Sequence, residues 1–133
     1  MDDRFARGSE LLEQIHAGGG AQLVQALSDI APDLARYIVE FGFGEVYARP
    51  GLSLRDRQLA TVAALAALGT AQTQLVAHIE GALAVGVTQA EIVEVIIQMA
   101  LYGGFPAAMN AVDAARTAFR AHEQRAATPS RGA

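Results

Sequence analysis

The stretch that decides the fold is TQAEIVEVIIQMALYGG, residues 88–104. It opens on Thr88 with Glu91 three residues later, the pattern of a capping box, in which these two side chains bind the first free N–H groups of a helix. A pair of glycines ends the apolar run. We therefore predict a helix over residues 88–102.

The polar residues of this helix form one narrow stripe, and apolar residues fill the other directions. The stripe consists of Glu91, Glu94, Gln98 and Tyr102. A helix that is apolar over most of its circumference must be covered by other parts of the protein. Short helices of one chain give it little cover, so we expect a neighbouring subunit to contribute. The alternative is a central helix within a monomer.

Helix start and stop signals divide the rest of the chain, and no stretch alternates as a strand would. Besides 88–102, the predicted helices are 2–16, 32–48, 53–68, 72–85 and 106–124, and a short segment, 22–30, precedes Pro32. In the segment 32–48 the predicted apolar side carries Leu34, Ile38, Phe41 and Val46. We predict an all-α fold, a single-domain bundle of about six helices over residues 1–125, with a disordered tail at 126–133.

The composition excludes several classes of function. Of the 133 residues 52% are hydrophobic, the formal net charge is −4, and there is no cysteine. The acidic balance argues against a nucleic-acid partner, and the lack of cysteine excludes disulfides and thiol chemistry. The amphipathic start MDDRFARGSELLEQ does not resemble a signal peptide, and the apolar runs are shorter than the ~20 residues of a membrane span. We expect a cytoplasmic protein with no membrane partner.

Charged residues cluster around the Pro50–Gly51 turn in FGEVYARPGLSLRDRQL, residues 43–59. The cluster contains Glu45, Arg49, Arg55, Asp56 and Arg57. Two interpretations stay open. The charges are solvated helix ends, with Glu45 and Arg49 as an i,i+4 pair, or a guanidinium binds a carboxylate through two parallel hydrogen bonds beside the start of a helix.

Two blocks carry a family resemblance: FGEVYARPGLSLRDRQLATVAALAALG (43–69) and LVAHIEGALAVGVTQAEIVEVIIQMALYGGFPAAMNA (75–111). Their pattern H-x2-GAL-x2-G-x-T-x2-EI-x-E, followed by Y-x-GFPAA, is long and specific. The chain resembles the carboxymuconolactone decarboxylase family, closest to its 4-carboxymuconolactone decarboxylase branch. Alkylhydroperoxidase-type relatives use a Cys-x-x-Cys pair where this chain has Ala71 and Gln74, so that chemistry is excluded.

The resemblance implies a ring-shaped homo-oligomer, a trimer or hexamer, with the alkylhydroperoxidase-like fold. It also implies a decarboxylase without metal or organic cofactor, which converts 4-carboxymuconolactone to 3-oxoadipate enol-lactone and CO2 in the β-ketoadipate pathway of aromatic compound catabolism. Many relatives read R-E-L where this chain has Gln58, and an amide cannot titrate. The alternatives are a decarboxylase, isomerase or cyclase for another oxygenated ring in a biosynthetic pathway, and a non-catalytic oligomeric binding protein.

The resemblance also implies roles for individual residues. His78 is the candidate general acid or orienting group, with an ordinary pKa near 6.5 that suits proton transfer; the alternative is a core histidine. Arg57, and after it Arg49, is the candidate ligand for the carboxylate that the product keeps. Arg55 is expected to face water.

The remaining candidates have two roles each. Glu45 either replaces the missing glutamate as acid–base or anchors Arg49. Tyr47 and Tyr102 either donate to an oxyanion or pack at an interface. Phe105 lines the apolar part of a pocket or belongs to the core. No second histidine lies three or four residues after His78, so no metal site is expected.

Overall fold

The computed structural model describes residues 3–128. All regular structure among them is helical, which confirms the predicted all-α class. The elements are α1 (Arg4–Ile15), α2 (Gly19–Leu27), α3 (Pro32–Tyr37), a π-helix (Ile38–Val46), α4 (Leu54–Leu68), α5 (Gln72–Ala84), α6 (Gln89–Gly103) and α7 (Phe105–Ala127). Seven α-helices and one π-helix replace the six or so helices predicted.

The chain divides into two compact units, and the boundary lies between Arg57 and Gln58, within α4. In the first unit α1 packs against the π-helix. The two backbones approach closely at two glycines. A Cβ added to Gly8 would lie 2.0 Å from the carbonyl oxygen of Val39, and a Cβ added to Gly44 would lie 2.3 Å from the carbonyl oxygen of Arg4. Only glycine fits at these two positions without a shift of the backbone.

The π-helix corrects the prediction of one α-helix over residues 32–48. The N–H of Tyr47 donates to the carbonyl oxygen of Gly42, five residues earlier, at 2.9 Å, which is the hydrogen bond of a π-helix. The predicted apolar side was wrong, because α1 packs on the side that carries Val39 and Gly44, and the apolar pattern of the segment does not indicate which side meets α1. Phe41 is 61% exposed. Leu34 and Val46 are exposed as well, and Ile38 is only half-buried. The buried residues are Ala35, Val39, Phe43 and Gly44.

The second unit has its core between α4, α5, α6 and α7. The cluster of buried side chains consists of Val62, Ala66, Leu75, Ile79, Ala82, Val87, Ile92, Ile96, Ala111, Ala114, Ala115 and Ala118. The local signals that place these helices are confirmed. Thr88 Oγ1 accepts from the Glu91 N–H at 3.1 Å, and Glu91 Oε1 accepts from the Thr88 N–H at 3.0 Å. Gly69 and Gly86 follow α4 and α5 with φ of +73° and +98°, where glycine is favoured.

Residues 3–128 leave much of α6 uncovered, since Ile92 and Ile96 are its only fully buried residues. Large apolar residues of α6 and α7 are exposed, and we call them the α6–α7 apolar face: Val93, Ile97, Leu101, Phe105, Met109 and Val112. A groove of about 290 Å³ between the two helices adjoins this face.

The last helix is longer than predicted. It reaches Ala127, so the first two residues of the predicted tail are helical, and residues 129–133 lie outside the described part of the chain. No helix among the described residues is both long and apolar enough to cross a membrane.

Candidate functional site

In the first unit, the start of α4 positions two of the candidate arginines. Ser53 Oγ accepts from the N–H of Asp56 at 3.0 Å, as an N-cap does, and this confirms the predicted start of the helix. Arg55 and Arg57 therefore project from the first turn of α4. The guanidinium of Arg55 lies 3.8 Å from the carboxylate of Asp56.

Arg57 is held against the preceding turn. Its Nη2 donates to the backbone carbonyl oxygen of Arg49 at 3.0 Å, and the residue is half-buried, whereas Arg49 itself is exposed. The structure therefore brings the two candidate arginines together through the backbone of one and the side chain of the other. Of the two, the Arg57 guanidinium has the more fixed position.

Glu45 is paired with a residue that the sequence did not single out. Its Oε1 lies 2.7 Å from Nη1 of Arg4, so the expected pair with Arg49 is not formed among the described residues. No sequence signal links Arg4 to Glu45, because they are 41 positions apart and meet through the packing of α1 on the π-helix. Close by in sequence, the ring of Tyr47 lies 4.9 Å from that of Phe43, centroid to centroid.

In the second unit, α4 and α5 bring Gln58 and His78 together. Oε1 of Gln58 lies 3.1 Å from Nδ1 of His78. Gln58 is fully buried, and it is the only buried polar side chain among the described residues. His78 is half-buried at the edge of the core, so the pair lies between the apolar interior and the surface.

Burial lowers the pKa of His78 from its ordinary value of 6.5. The cause is the loss of hydration, which disfavours the charged imidazolium. At neutral pH the free imidazole is therefore uncharged, and it accepts or donates at Nε2 according to which nitrogen carries the proton.

Tyr102 and Phe105 lie at the corner between α6 and α7 and are 75% and 77% exposed. Neither side chain makes a hydrogen bond or ring contact in the part of the chain that the structure describes. They belong to or adjoin the α6–α7 apolar face. Among residues 3–128 no three His, Cys, Asp or Glu side chains lie close enough to hold a metal ion.

Comparison with known proteins gives a family and several relatives. The sequence model of the carboxymuconolactone decarboxylase family matches residues 32–117. The 4-carboxymuconolactone decarboxylase of Acinetobacter baylyi is 33% identical over 123 residues, 90% of this chain and 89% of that protein. A protein of Paracoccus denitrificans described as an uncharacterized 15.0 kDa protein in the nqo9-nqo10 intergenic region is 32% identical over 102 residues, 76% of each chain.

A third relative has a different named substrate. The nitrosuccinic acid decarboxylase of Metarhizium robertsii is 37% identical over 76 residues, 56% of this chain and 52% of that protein. The family match covers the arginine turn, Gln58, His78 and the α6–α7 corner, and the first relative spans nearly the whole chain. This chain belongs to the carboxymuconolactone decarboxylase family.

Proposed function

We propose that this protein is a carboxy-lyase that removes CO2 from a small anionic lactone, with 4-carboxymuconolactone as substrate and 3-oxoadipate enol-lactone as product. The observation that carries the proposal is the 33% identity, over 90% of the chain, with a protein named for that reaction. The polar pair of Gln58 and His78 beside the apolar core gives the reaction a group that can handle a proton.

The substrate supplies its own electron sink. When the bond to the ring carboxylate breaks, its electron pair passes through the conjugated double bond to the lactone oxygen, and the resulting dienolate takes up a proton on carbon. The enzyme must hold the retained carboxylate, stabilise the developing oxyanion and deliver one proton. No step requires a metal or an organic cofactor.

The side chains divide these tasks. Arg57 binds the retained carboxylate, with Arg49 as the second cation, because a guanidinium offers two parallel N–H donors. His78 handles the proton, with Gln58 as its hydrogen-bond partner. Glu45 is less suited to proton transfer than to orienting Arg4, to which it is bound. Tyr47 and Tyr102 are the candidate oxyanion donors, and Phe105 is a candidate for the apolar wall.

A second candidate substrate is a nitro-substituted acid, and the relative of Metarhizium robertsii favours it. Nitrosuccinic acid is a dicarboxylic acid in which a nitro group replaces the lactone as electron sink. Its decarboxylation has the same needs: a cation for one carboxylate, donors for the oxyanion and a proton for carbon.

The assembly and location belong to the same proposal. We infer a homo-oligomer, a ring of three or six subunits, because the six large apolar side chains of the α6–α7 apolar face are exposed and a large apolar face marks an interaction site. We place it in the cytoplasm, as expected for a catabolic enzyme of this kind. Tyr102 and Phe105 would then be covered by a neighbouring subunit and could line its site.

The test is direct incubation of the purified protein with 4-carboxymuconolactone and, separately, with nitrosuccinate, while CO2 release is followed. We expect the parent protein to release CO2 from the lactone, and we expect the His78→Ala variant to release none. Release from nitrosuccinate alone would favour the second candidate. Release from neither acid, by a protein that is folded and assembled, would overturn the proposal.

A further inference from the structure

Packing does not explain why Gln58 is an amide. The side chain is 0% exposed, and its Nε2 is enclosed with no hydrogen-bond partner among the described residues. A buried donor without a partner destabilises the folded protein, because it has lost its hydrogen bond to water. Methionine has a similar length and no such donor, so an apolar side chain would fill the position at a lower cost. The amide oxygen must therefore have a use, and the atom that it contacts is Nδ1 of His78.

This contact selects one form of the imidazole. An amide oxygen can only accept a hydrogen bond, so at 3.1 Å from Oε1 the proton of the neutral ring must be on Nδ1. Nε2 then keeps its lone pair. We propose that Gln58 is a positioning residue that holds His78 as the neutral Nδ1–H tautomer, so that the proton needed by the reaction binds to Nε2 only when an anionic substrate arrives.

Among residues 3–128 no charged group is bonded to Gln58 or His78. Between Gln58 and Leu68, α4 contains no charged residue. On α5, Glu80 comes two residues after His78, about 200° around the helix, and it is bound to Arg125 of α7. The other titratable or charged groups of α6 and α7 are Glu91, Glu94, Tyr102, Asp113, Arg116, Arg120, His122 and Glu123. Of these, Glu91 closes the cap of α6, and Asp113 pairs with Arg116.

Burial therefore acts on His78 without a compensating partner charge, and it is the cause of the lowered pKa of this residue. A carboxylate at position 58 would reverse the balance, because an anion beside Nδ1 favours the imidazolium. A neutral amide orients the ring without charging it. Before substrate binds, the side chains of Gln58 and His78 are therefore both uncharged.

The proton balance of the reaction gives this arrangement a consequence, which rests on the proposed function. Decarboxylation releases CO2 from R–CO2⁻, leaves the electron pair in the dienolate and places one proton on carbon. The neutral Nδ1–H tautomer has no proton to give at Nε2. It takes one from solvent when the negative charge of the substrate favours the imidazolium, transfers it to carbon, and returns to its starting form with Nδ1–H still on Gln58.

The tautomer is measured directly by ¹⁵N NMR of the imidazole nitrogens in ligand-free protein labelled with ¹⁵N-histidine, between pH 5 and 8. We expect a protonated Nδ1 and an unprotonated Nε2 for His78 at pH 7, with His16 and His122 as internal references. In Gln58→Met the preference for Nδ1–H should be lost. In Gln58→Glu the imidazolium should persist to a pH at least about one unit higher, given the 1–3 unit effect of an adjacent opposite charge.

An unprotonated Nδ1 in the parent protein would mean that Gln58 donates to the ring, and it would overturn the proposal. An unchanged tautomer in folded Gln58→Met would do the same. If Gln58→Met does not fold, as judged by circular dichroism, the parent tautomer and the Gln58→Glu titration decide the question.

Proton uptake with the substrate is tested by the pH profile of kcat/KM, which reports the free enzyme. With 4-carboxymuconolactone we expect kcat/KM of the parent to fall about tenfold per pH unit above the NMR midpoint of His78, and that of Gln58→Glu to stay level to higher pH. A level parent profile from pH 6 to 8 would overturn the uptake step. Absence of turnover would count against the proposed function, and the ligand-free NMR result would still decide the tautomer.

Discussion

Arg57 is oriented by its own chain before any substrate binds. One N–H of its guanidinium is used on the carbonyl oxygen of Arg49, which limits the rotation of a long side chain. A side chain that is already ordered loses less conformational entropy when it binds a ligand. This favours Arg57 over the exposed Arg49 as the main carboxylate ligand.

The first prediction is that Arg57→Ala raises KM about ten- to a hundred-fold with a smaller effect on kcat. A charge-assisted hydrogen bond contributes about 1.5–3 kcal/mol, which corresponds to that range of affinity. Steady-state kinetics measure the effect. Arg55→Ala is the matched control, because it removes the same charge from the same helical turn, and it should leave KM within about twofold. Equal effects of the two substitutions would indicate a general electrostatic contribution and no specific contact.

The second prediction is that His78→Ala lowers kcat by about 10²–10⁴-fold, the usual range for general acid–base catalysis. His78→Gln should recover little of this loss, because an amide can donate a hydrogen bond but cannot transfer a proton. His122→Ala, outside the arginine turn and the Gln58–His78 pair, is the control. Turnover at the parent rate in folded His78→Ala would show that the histidine is structural.

The third prediction concerns stability and pH. Because burial lowers the pKa of His78 in the folded protein, the unfolded chain binds the proton first as pH falls below about 6.5. The free energy of unfolding contributed by this group is present above pH 6.5. It is lost as pH falls toward the folded pKa, by at most about 1.4 kcal/mol per pH unit.

Urea unfolding of the parent and of His78→Gln at one protein concentration, from pH 8 to 5, isolates this effect. All other ionisable groups are the same in the two proteins, so their contributions cancel in the difference. The parent should lose more stability than the variant below pH 6.5. Parallel curves over the whole range would contradict the prediction.

At the scale of elements, the crossing of α1 and the π-helix depends on two glycines. A Cβ on Gly44 would lie 2.3 Å from the carbonyl oxygen of Arg4, whereas a Cβ on Gly42 in the same π-helix would meet nothing within 4 Å. The fourth prediction is therefore that Gly44→Ala destabilises the protein by about 1–3 kcal/mol or more, the cost of overpacking. Gly42→Ala should be neutral or slightly stabilising. Thermal unfolding measures both, and equal melting temperatures would show that the helices separate without cost.

The same crossing marks the limit of what sequence can predict about the fold. The signals at the helix ends were located correctly because they act between neighbours in sequence. They are the capping box of Thr88 and Glu91, the N-cap Ser53, and the glycines that follow α4 and α5. The packing of α1 on the π-helix places Gly8 and Gly44 against backbone more than thirty residues away. The apolar pattern alone did not indicate which face of the segment 32–48 would meet α1, so it placed Phe41 on the inner side, although Phe41 is exposed.

The site shows the same division. Family motifs selected Arg57, Gln58 and His78 by type and position. They did not show which atoms meet, because the bond between Gln58 and His78 joins residues 20 positions apart. Glu45 likewise pairs with Arg4, 41 positions away, and not with Arg49. Residue identity is local information, and pairing is a property of the packed helices.

For the whole molecule, the α6–α7 apolar face gives the last prediction. Ile97 and Leu101 are 59% and 78% exposed, and covering such a side chain contributes about 1.5–3 kcal/mol. Light scattering at micromolar concentration should give at least three times the 13.9 kDa chain mass. Ile97→Asp should dissociate the assembly, because it places a charge in an apolar contact. Ile30→Asp is the matched control, since Ile30 is also exposed but lies in the first unit, and it should leave the mass unchanged. A parent protein that stays at the mass of one chain would show that this face is uncovered in solution, and Tyr102 and Phe105 would then lose their proposed place beside a neighbouring site.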